Sequence, residues 1–302
     1  MMHSHPSGPD AHDGPDPLDG SNLLDGYALL DGYALCWGCV PGAGLADLTA
    51  LAARHGFREV SVRPRQYFAA ARDDPGWRGL FDDAGMRVGV VDALLSRLPG
   101  APDPGDVPPG LRADYALGLD DCLEAAEALG ARALNVAHYL GSAVPLDEMA
   151  DAVREVADAA ARIDLAVALE FIPGTGIPDL AAALDIARRA ARPNAGVLFD
   201  SWHFLRNGGA LGDIAGLAEC PVVEAQLSDR RTPAPGEEYV PMRGRLPLGE
   251  GEAPLAAIAR ALRQAAPEVV FSLEVFPDEP GDPDRTVAHL AETTRAFAST
   301  HR

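Results

Sequence analysis

Eight short apolar runs, most of them followed by an alanine-rich stretch of helical period, constrain this chain more than any other feature. The runs are YALCWGCV, EVSVRP, RVGVVDAL, ALNVAHYL, AVALEFIP, AGVLFDSWH, VVEAQLSD and VVFSLEVFP. Helical patterns lie between them at Leu45–His55, Arg112–Leu129, Leu146–Ile163, Asp179–Ala191 and Pro254–Ala265, and a last one covers Asp284–Thr300. Apolar runs of this length suit strands buried on both faces, and the helices suit the crossovers between parallel strands. Eight such units in roughly 270 residues predict an α/β protein, a (β/α)8 TIM barrel. A doubly wound open sheet would want a glycine-rich phosphate turn after an early strand, and the sequence has none.

The barrel is expected over residues 33–302. Residues 1–32 read as a flexible tail, rich in Pro, Gly, Asp and His near its start. A tandem LDGYAL, Leu24–Leu29 and Leu30–Leu35, closes the tail, and its second copy leads into the first strand.

Charge and composition then exclude several function classes. The net charge of −20 repels phosphate backbones and anionic lipid, so no nucleic-acid or membrane partner is expected. All 25 basic residues are arginine. With no lysine, no Schiff base forms, so pyridoxal phosphate is not expected, and without a phosphate turn neither is a nucleotide. The 4 cysteines are too few for a disulfide scaffold in 302 residues. The N-terminus lacks a basic region followed by an apolar stretch, and no apolar run reaches about 18 residues. The expectation is a cytoplasmic protein acting on a small molecule, with homo-oligomerisation left open.

In a barrel of this kind, functional residues sit at the C-terminal ends of strands. The fifth run ends in Glu170, the sixth in Asp200, the seventh in Gln226 and the eighth in Glu274. Any one of them alone reads as a solvated loop residue. Four in series read as a site. Three carboxylates meeting at one mouth need a proton or a cation between them. An all-oxygen donor set favours one divalent ion, Mn²⁺, Mg²⁺ or Co²⁺, over zinc, which prefers His or Cys. His203, three residues after Asp200, faces the same mouth only if the chain turns directly after Asp200.

The segments ALEFIPGTG, GVLFDSWHF, AQLSD, RLPLGEGEAPL and FSLEVF, in that order, resemble the xylose isomerase-like barrel superfamily, and within it the sugar phosphate isomerase/epimerase family. The resemblance covers about residues 33–300 and is best from 166 onward. It implies metal ligands Glu170, Asp200, Gln226 and Glu274. It implies Glu170 and Glu274 as acid and base, and His203 binding or protonating a substrate oxygen. In such relatives the metal polarises a hydroxy-carbonyl pair and a glutamate removes the adjacent C–H proton, giving an enediolate. The expected activity is therefore isomerisation or epimerisation of a sugar, sugar phosphate or cyclitol. Two departures matter. Many relatives carry His where Gln226 stands, and Gln there resembles the 3-dehydroshikimate dehydratases, which makes a metal-dependent lyase the alternative. Many ketose epimerases also carry a glutamate six residues after the first ligand, where this chain has Gly176. A non-catalytic binding barrel is the remote alternative.

Weaker signals complete the set. His138 ends the fourth run and is a candidate substrate contact, or else a packed core residue. Arg245, in RGRLPLGEG, is a candidate clamp for a substrate carboxylate or phosphate, or a partner of Glu237, Glu238 or Glu250. Arg63 and Arg65 flank Pro64 after the second run and read as a surface pair, or else as further anion contacts. The CWGC spacing resembles a redox motif but lacks a helix N-terminus to stabilise a thiolate, and Trp37 reads as an apolar pocket wall. Glu224 shares strand parity with Gln226 and has no partner visible in the sequence.

Overall fold

The computed structural model describes residues 30–238, 240, 242–279 and 281–301. The first LDGYAL copy and the rest of residues 1–29 lie outside them. Leu30 is already fully buried in the core, and Phe271 N donates to Gly32 O at 3.1 Å.

Eight parallel strands close into a barrel in sequence order. They are β1 (Tyr33–Cys36), β2 (Glu59–Val62), β3 (Arg87–Leu94), β4 (Ala133–Ala137), β5 (Ala166–Glu170), β6 (Ala195–Asp200), β7 (Val222–Leu227) and β8 (Phe271–Leu273). Helices α1 (Leu45–Arg54), α2 (Pro64–Asp73), α3 (Leu80–Ala84), α4 (Arg112–Tyr115), α5 (Leu119–Leu129), α6 (Leu146–Ala160), α7 (Leu180–Ala190), α8 (Ser201–Arg206), α9 (Leu255–Ala265) and α10 (Pro283–Thr300) form the outer layer. The expected (β/α)8 architecture is present, and every expected strand overlaps an observed one.

Strand alternation sorts the side chains. One parity, including Leu35, Val60, Val91, Leu134, Val167, Phe199, Leu227 and Leu273, joins the main core beneath the helices. The other parity fills the barrel with a small apolar cluster, including Val90, Ala133, Ala168 and Leu198, and with polar residues, among them Ser61, Asn135, Glu170, Asp200, Glu224, Gln226 and Ser272. Helix α6 supplies its side of the core through Met149, Val153, Val156, Ala157 and Ala160, an i, i+3, i+4 stripe. Helix α7 starts where Asp179 Oδ1 accepts from Ala182 N at 2.8 Å.

The stretch expected as one helix over Arg112–Leu129 is two. Gly118 is extended, and its N–H donates to Asp121 Oδ2 at 2.8 Å, which restarts the chain as α5. Helices α2, α3 and α8 were not read from the sequence. Helices α3 and α8 have 5 and 6 residues, too short for a periodic pattern to stand out, and α2 buries only Pro64 and Tyr67.

The floor of the barrel answers for Glu224. Arg132 Nη2 pairs with Glu59 at 2.9 Å and with Glu224 at 3.6 Å, while Arg87 holds the other Glu59 oxygen at 2.7 Å. Glu224 is fully buried, and burial pushes its carboxyl up to about 8 against the opposing pull of Arg132.

Candidate active site

The four oxygen donors named from the sequence sit at the ends of adjacent strands. Glu170 and Asp200 are the last residues of β5 and β6, Gln226 is next to last in β7, and Glu274 follows β8. Register sets them side by side: Asp200 pairs with Gln226, and Gln226 with Ser272, two residues before Glu274. All four are buried.

The turn that His203 requires is helix α8. Asp200 is its N-cap, with Oδ1 accepting from Trp202 N at 2.6 Å and His203 N at 3.0 Å. That leaves Oδ2 facing the mouth. His203 Nε2 lies 3.3 Å from Glu170 Oε1 and 3.5 Å from Asp200 Oδ2.

Arg245 takes none of the acidic loop partners considered for it. Its guanidinium is inserted among the donors, with Nη2 at 2.8 Å from Asp200 Oδ2 and Nη1 at 2.9 Å from Glu274 Oε2. Its side chain is 1% exposed. Nη1 also reaches Ser228 Oγ at 3.3 Å. Arg245 still lines the cavity above the site. Burial would raise the Asp200 carboxyl, but Arg245 and His203 override it and hold it below the usual range. Glu274 goes the other way: burial and the neighbouring carboxylates Asp200 and Glu170 push it well up despite Arg245.

His138 does not line the cavity. It is fully buried, and its Nδ1 accepts from Gly176 N at 3.1 Å. A Cβ added at Gly141 would fall 2.1 Å from its Nε2, and one at Gly176 would fall 2.6 Å from its Cε1. The ring is packed between two loop glycines, the core alternative considered for it. The same packing explains why no side chain stands at 176.

Two site residues escaped the sequence reading. Asn135, in the middle of β4, donates through Nδ2 to Asp92 Oδ1 and to Glu170 Oε2, both at 2.8 Å. Asp92, inside β3, also accepts from Trp37 Nε1 at 2.8 Å. Burial first, and then repulsion from Glu170, pushes Asp92 up to about 6. The available signal was parity. An amide within an otherwise apolar run, on the barrel-facing side, has no reason to be there unless it is bonded.

Trp37 is a cavity wall, with Leu95, Leu111, Tyr139, Ile172 and Phe276. The CWGC cysteines are free and buried. Burial pushes the Cys39 thiol up to about 12 and the Cys36 thiol well up, which opposes thiolate chemistry.

The donor set fits a divalent cation. Its ligand atoms are hard oxygens on four consecutive strands. Gln226 Oε1 is buried with no hydrogen-bond partner among the described residues, and such an acceptor calls for a ligand. One atom each of Glu170, Asp200 and His203 lie within 4.8 Å of one another.

The family model of the xylose isomerase-like TIM barrel matches residues 49–297. No curated protein matches the chain. Among solved structures, the chain is similar to an IolI protein with a bound zinc atom, at 17% identity and TM-score 0.76 over 89% of this chain and 99% of that one. It is similar to D-psicose 3-epimerase from Clostridium cellulolyticum H10, at 14% identity and TM-score 0.67 over 89% and 98%. It is also similar to the probable 3-DHS dehydratase AsbF from Bacillus anthracis, at 13% identity and TM-score 0.65 over 86% and 97%. At these identities the structural likeness speaks for the fold, and the family model covers most of the chain. The chain belongs to the xylose isomerase-like TIM barrel family.

Proposed function

We propose that the protein is a divalent-metal-dependent isomerase or epimerase of a small hydroxy-carbonyl compound, a sugar, sugar phosphate or cyclitol. The observation that carries this reading is the convergence of Glu170, Asp200, Gln226 and Glu274 on one buried mouth, with the Gln226 oxygen left without a partner. These four side chains would hold the ion. When bound, the ion supplies the positive charge that makes a C–H proton beside a carbonyl removable near neutral pH.

The chain's own residues divide the proton work. Glu170 is tied at Oε2 to Asn135, so Oε1, beside His203, is the oxygen that accepts the proton. Burial and the neighbouring carboxylates push Glu274 up, the direction that suits the group that returns a proton. The two glutamates stand on β5 and β8 across the same cavity. Removal on one face and return on the other gives an epimer, and return to the neighbouring carbon gives an isomer. His203 Nε2 holds or donates a proton at a substrate oxygen.

A second reading, a metal-dependent lyase of the dehydroshikimate dehydratase type, is favoured by Gln226 and by the walls of Trp37, Tyr139 and Phe276, which suit a flat ring. The test begins with metal content after dialysis against a weak chelator, for wild type, Glu170→Ala and Asp200→Asn. About one equivalent of Mn²⁺, Co²⁺, Mg²⁺ or Zn²⁺ in wild type, lost in both variants, supports the site. The loaded protein is then incubated in D2O with hydroxy-carbonyl compounds. Deuterium at the carbon beside the carbonyl supports proton transfer, and a new near-ultraviolet band assigns the lyase. No retained metal and no exchange would remove both readings.

A further inference from the structure

Among the charged groups of the cavity that the proposed proton transfer leaves unused is Arg63, with Asp114 beside it. Arg63 follows the last residue of β2 and lines the cavity across from the metal-ligand strands. Its guanidinium carbon lies 3.5 Å from the centroid of the Trp37 ring, a close cation–π stack. Trp37 is itself fixed by its hydrogen bond to Asp92. The Arg63 backbone is fixed as well: its N–H donates to Gln66 Oε1, and Gln66 Nε2 donates to Ala43 O, both at 2.8 Å. The group is held in place before any ligand arrives, so little side-chain freedom remains to be lost on binding.

Its acidic neighbours do not use up its charge. Arg63 Nη1 lies 3.6 Å from Asp114 Oδ2, while Arg65 Nε is closer to the same carboxylate, at 2.9 Å from Oδ1. Two guanidiniums share one carboxylate. Asp92 also acts on Arg63 electrostatically, but its two oxygens already accept from Trp37 and Asn135. The Arg63 side chain is only 15% exposed, and burial pulls it below its ordinary value. A guanidinium stripped of most of its water, and met by Asp114 only at 3.6 Å, can take a closer anion.

We infer that Arg63, stacked on Trp37, is a subsite for the carboxylate of the substrate, so that the substrate is an anionic hydroxy-carbonyl compound rather than a neutral sugar. This inference rests on the metal-dependent reading above. A carboxylate matches the single planar fork of one arginine.

The test is calorimetric titration of the full-length, Mn²⁺-loaded protein with three probes. These are quinate, a hydroxylated ring with a carboxylate; myo-inositol, a ring without one; and myo-inositol 1-phosphate. Quinate is expected to bind tightest. Arg63→Met is expected to weaken quinate about 10- to 100-fold, the range for a lost charge-assisted contact, while leaving Mn²⁺ affinity unchanged. Arg63→Lys should recover part of the loss. Equal binding of myo-inositol, tighter binding of the phosphate, no quinate binding, or an Arg63→Met protein that holds quinate normally would each overturn the subsite. If Mn²⁺ itself does not bind, the metal reading fails separately. The same quinate titration of the unloaded wild type and Arg63→Met then decides the subsite: Arg63-dependent binding keeps it and none sinks it.

Discussion

Replacing Arg245 with Met tests whether this arginine is the counter-charge that lets two buried carboxylates coexist. Arg245 contacts Asp200 at 2.8 Å and Glu274 at 2.9 Å. The three side chains are 1%, 0% and 6% exposed, so water screens none of these contacts. Methionine keeps most of the volume and removes the charge. Breaking a buried ion pair by deleting one partner costs about 3–5 kcal/mol, because the other charge stays buried. For a chain of this size that lowers Tm by roughly 6–20 °C. A divalent ion held by the same carboxylates should restore much of the loss. At about a hundred times its Kd it contributes about 2.7 kcal/mol. The metal-induced rise in Tm should be larger in Arg245→Met than in wild type, since in the variant no arginine competes for Asp200 and Glu274. Thermal melts with a chelator and with added Mn²⁺ measure both quantities. A variant as stable as wild type in chelator, or a loss that Mn²⁺ leaves unchanged, would refute the reasoning.

Three further outcomes are expected. Glu224→Gln should become progressively more stable than wild type as pH rises. The Glu224 carboxyl is raised by burial to about 8, so between its unfolded value and that point the native state holds a proton the unfolded chain has released, and wild-type stability falls across this window. Melts from pH 5 to pH 9 should show a gap that widens to a few kcal/mol and then levels off, and a gap independent of pH would count against the assignment. Gly176→Glu, which restores the side chain common in ketose epimerases, should destabilise by about 1–3 kcal/mol through overlap with His138. Adding His138→Ala should recover part of that loss in a double-mutant cycle, and strictly additive losses would contradict the packing. Asn135→Leu should remove the donor shared by Asp92 and Glu170, costing about 2–5 kcal/mol at pH 8 and less at pH 5, where Asp92 is largely protonated. Urea titrations at the two pH values measure it, and equal losses would refute the role of Asp92 charge.

The half of the mouth built by β5–β8 was legible because Glu170, Asp200 and Glu274 each close an uncharged run and Gln226 stands at the matching place in the strand between. Asp200 even announces its own local structure: a carboxylate at a strand end caps the helix that follows and so turns His203 inward. The half built by β1–β4 hides its polar groups. Asp92 is followed in β3 by Ala93 and Leu94, so it does not mark a strand end. Asn135 sits between Leu134 and Val136 and disappears into the apolar run. The terminal His138 drew attention instead, although Gly141 and Gly176 enclose it. Arg63, flanking Pro64 with Arg65, reads in the sequence as half of a surface pair before it reads as an anion contact. Its stack on Trp37 depends on strands β1 and β2 being neighbours, which closure of the barrel decides and local sequence does not. Arg245 reaches Asp200 across 45 residues, a distance no periodicity reports.

The two halves differ in how they handle charge, and that difference organises the site. On the β5–β8 side, three carboxylates are crowded, and Arg245 lies among them, paired with two. On the β1–β4 side, polar groups are tied in series: Trp37 to Asp92, Asp92 to Asn135, and Asn135 to Glu170. This series ends on the proposed base. It fixes Glu170 Oε2 and leaves Oε1 for the proton, while its other end fixes the indole on which Arg63 rests. A substrate anchored by its carboxylate at Arg63 would thus be placed against Glu170 by one continuous hydrogen-bonded frame. The placement requires no motion of the barrel strands, because every link is a side chain on, or directly after, a strand. Rigid strands rather than loops set the distance between anchor and base, which is the condition for a proton transfer sensitive to tenths of an ångström.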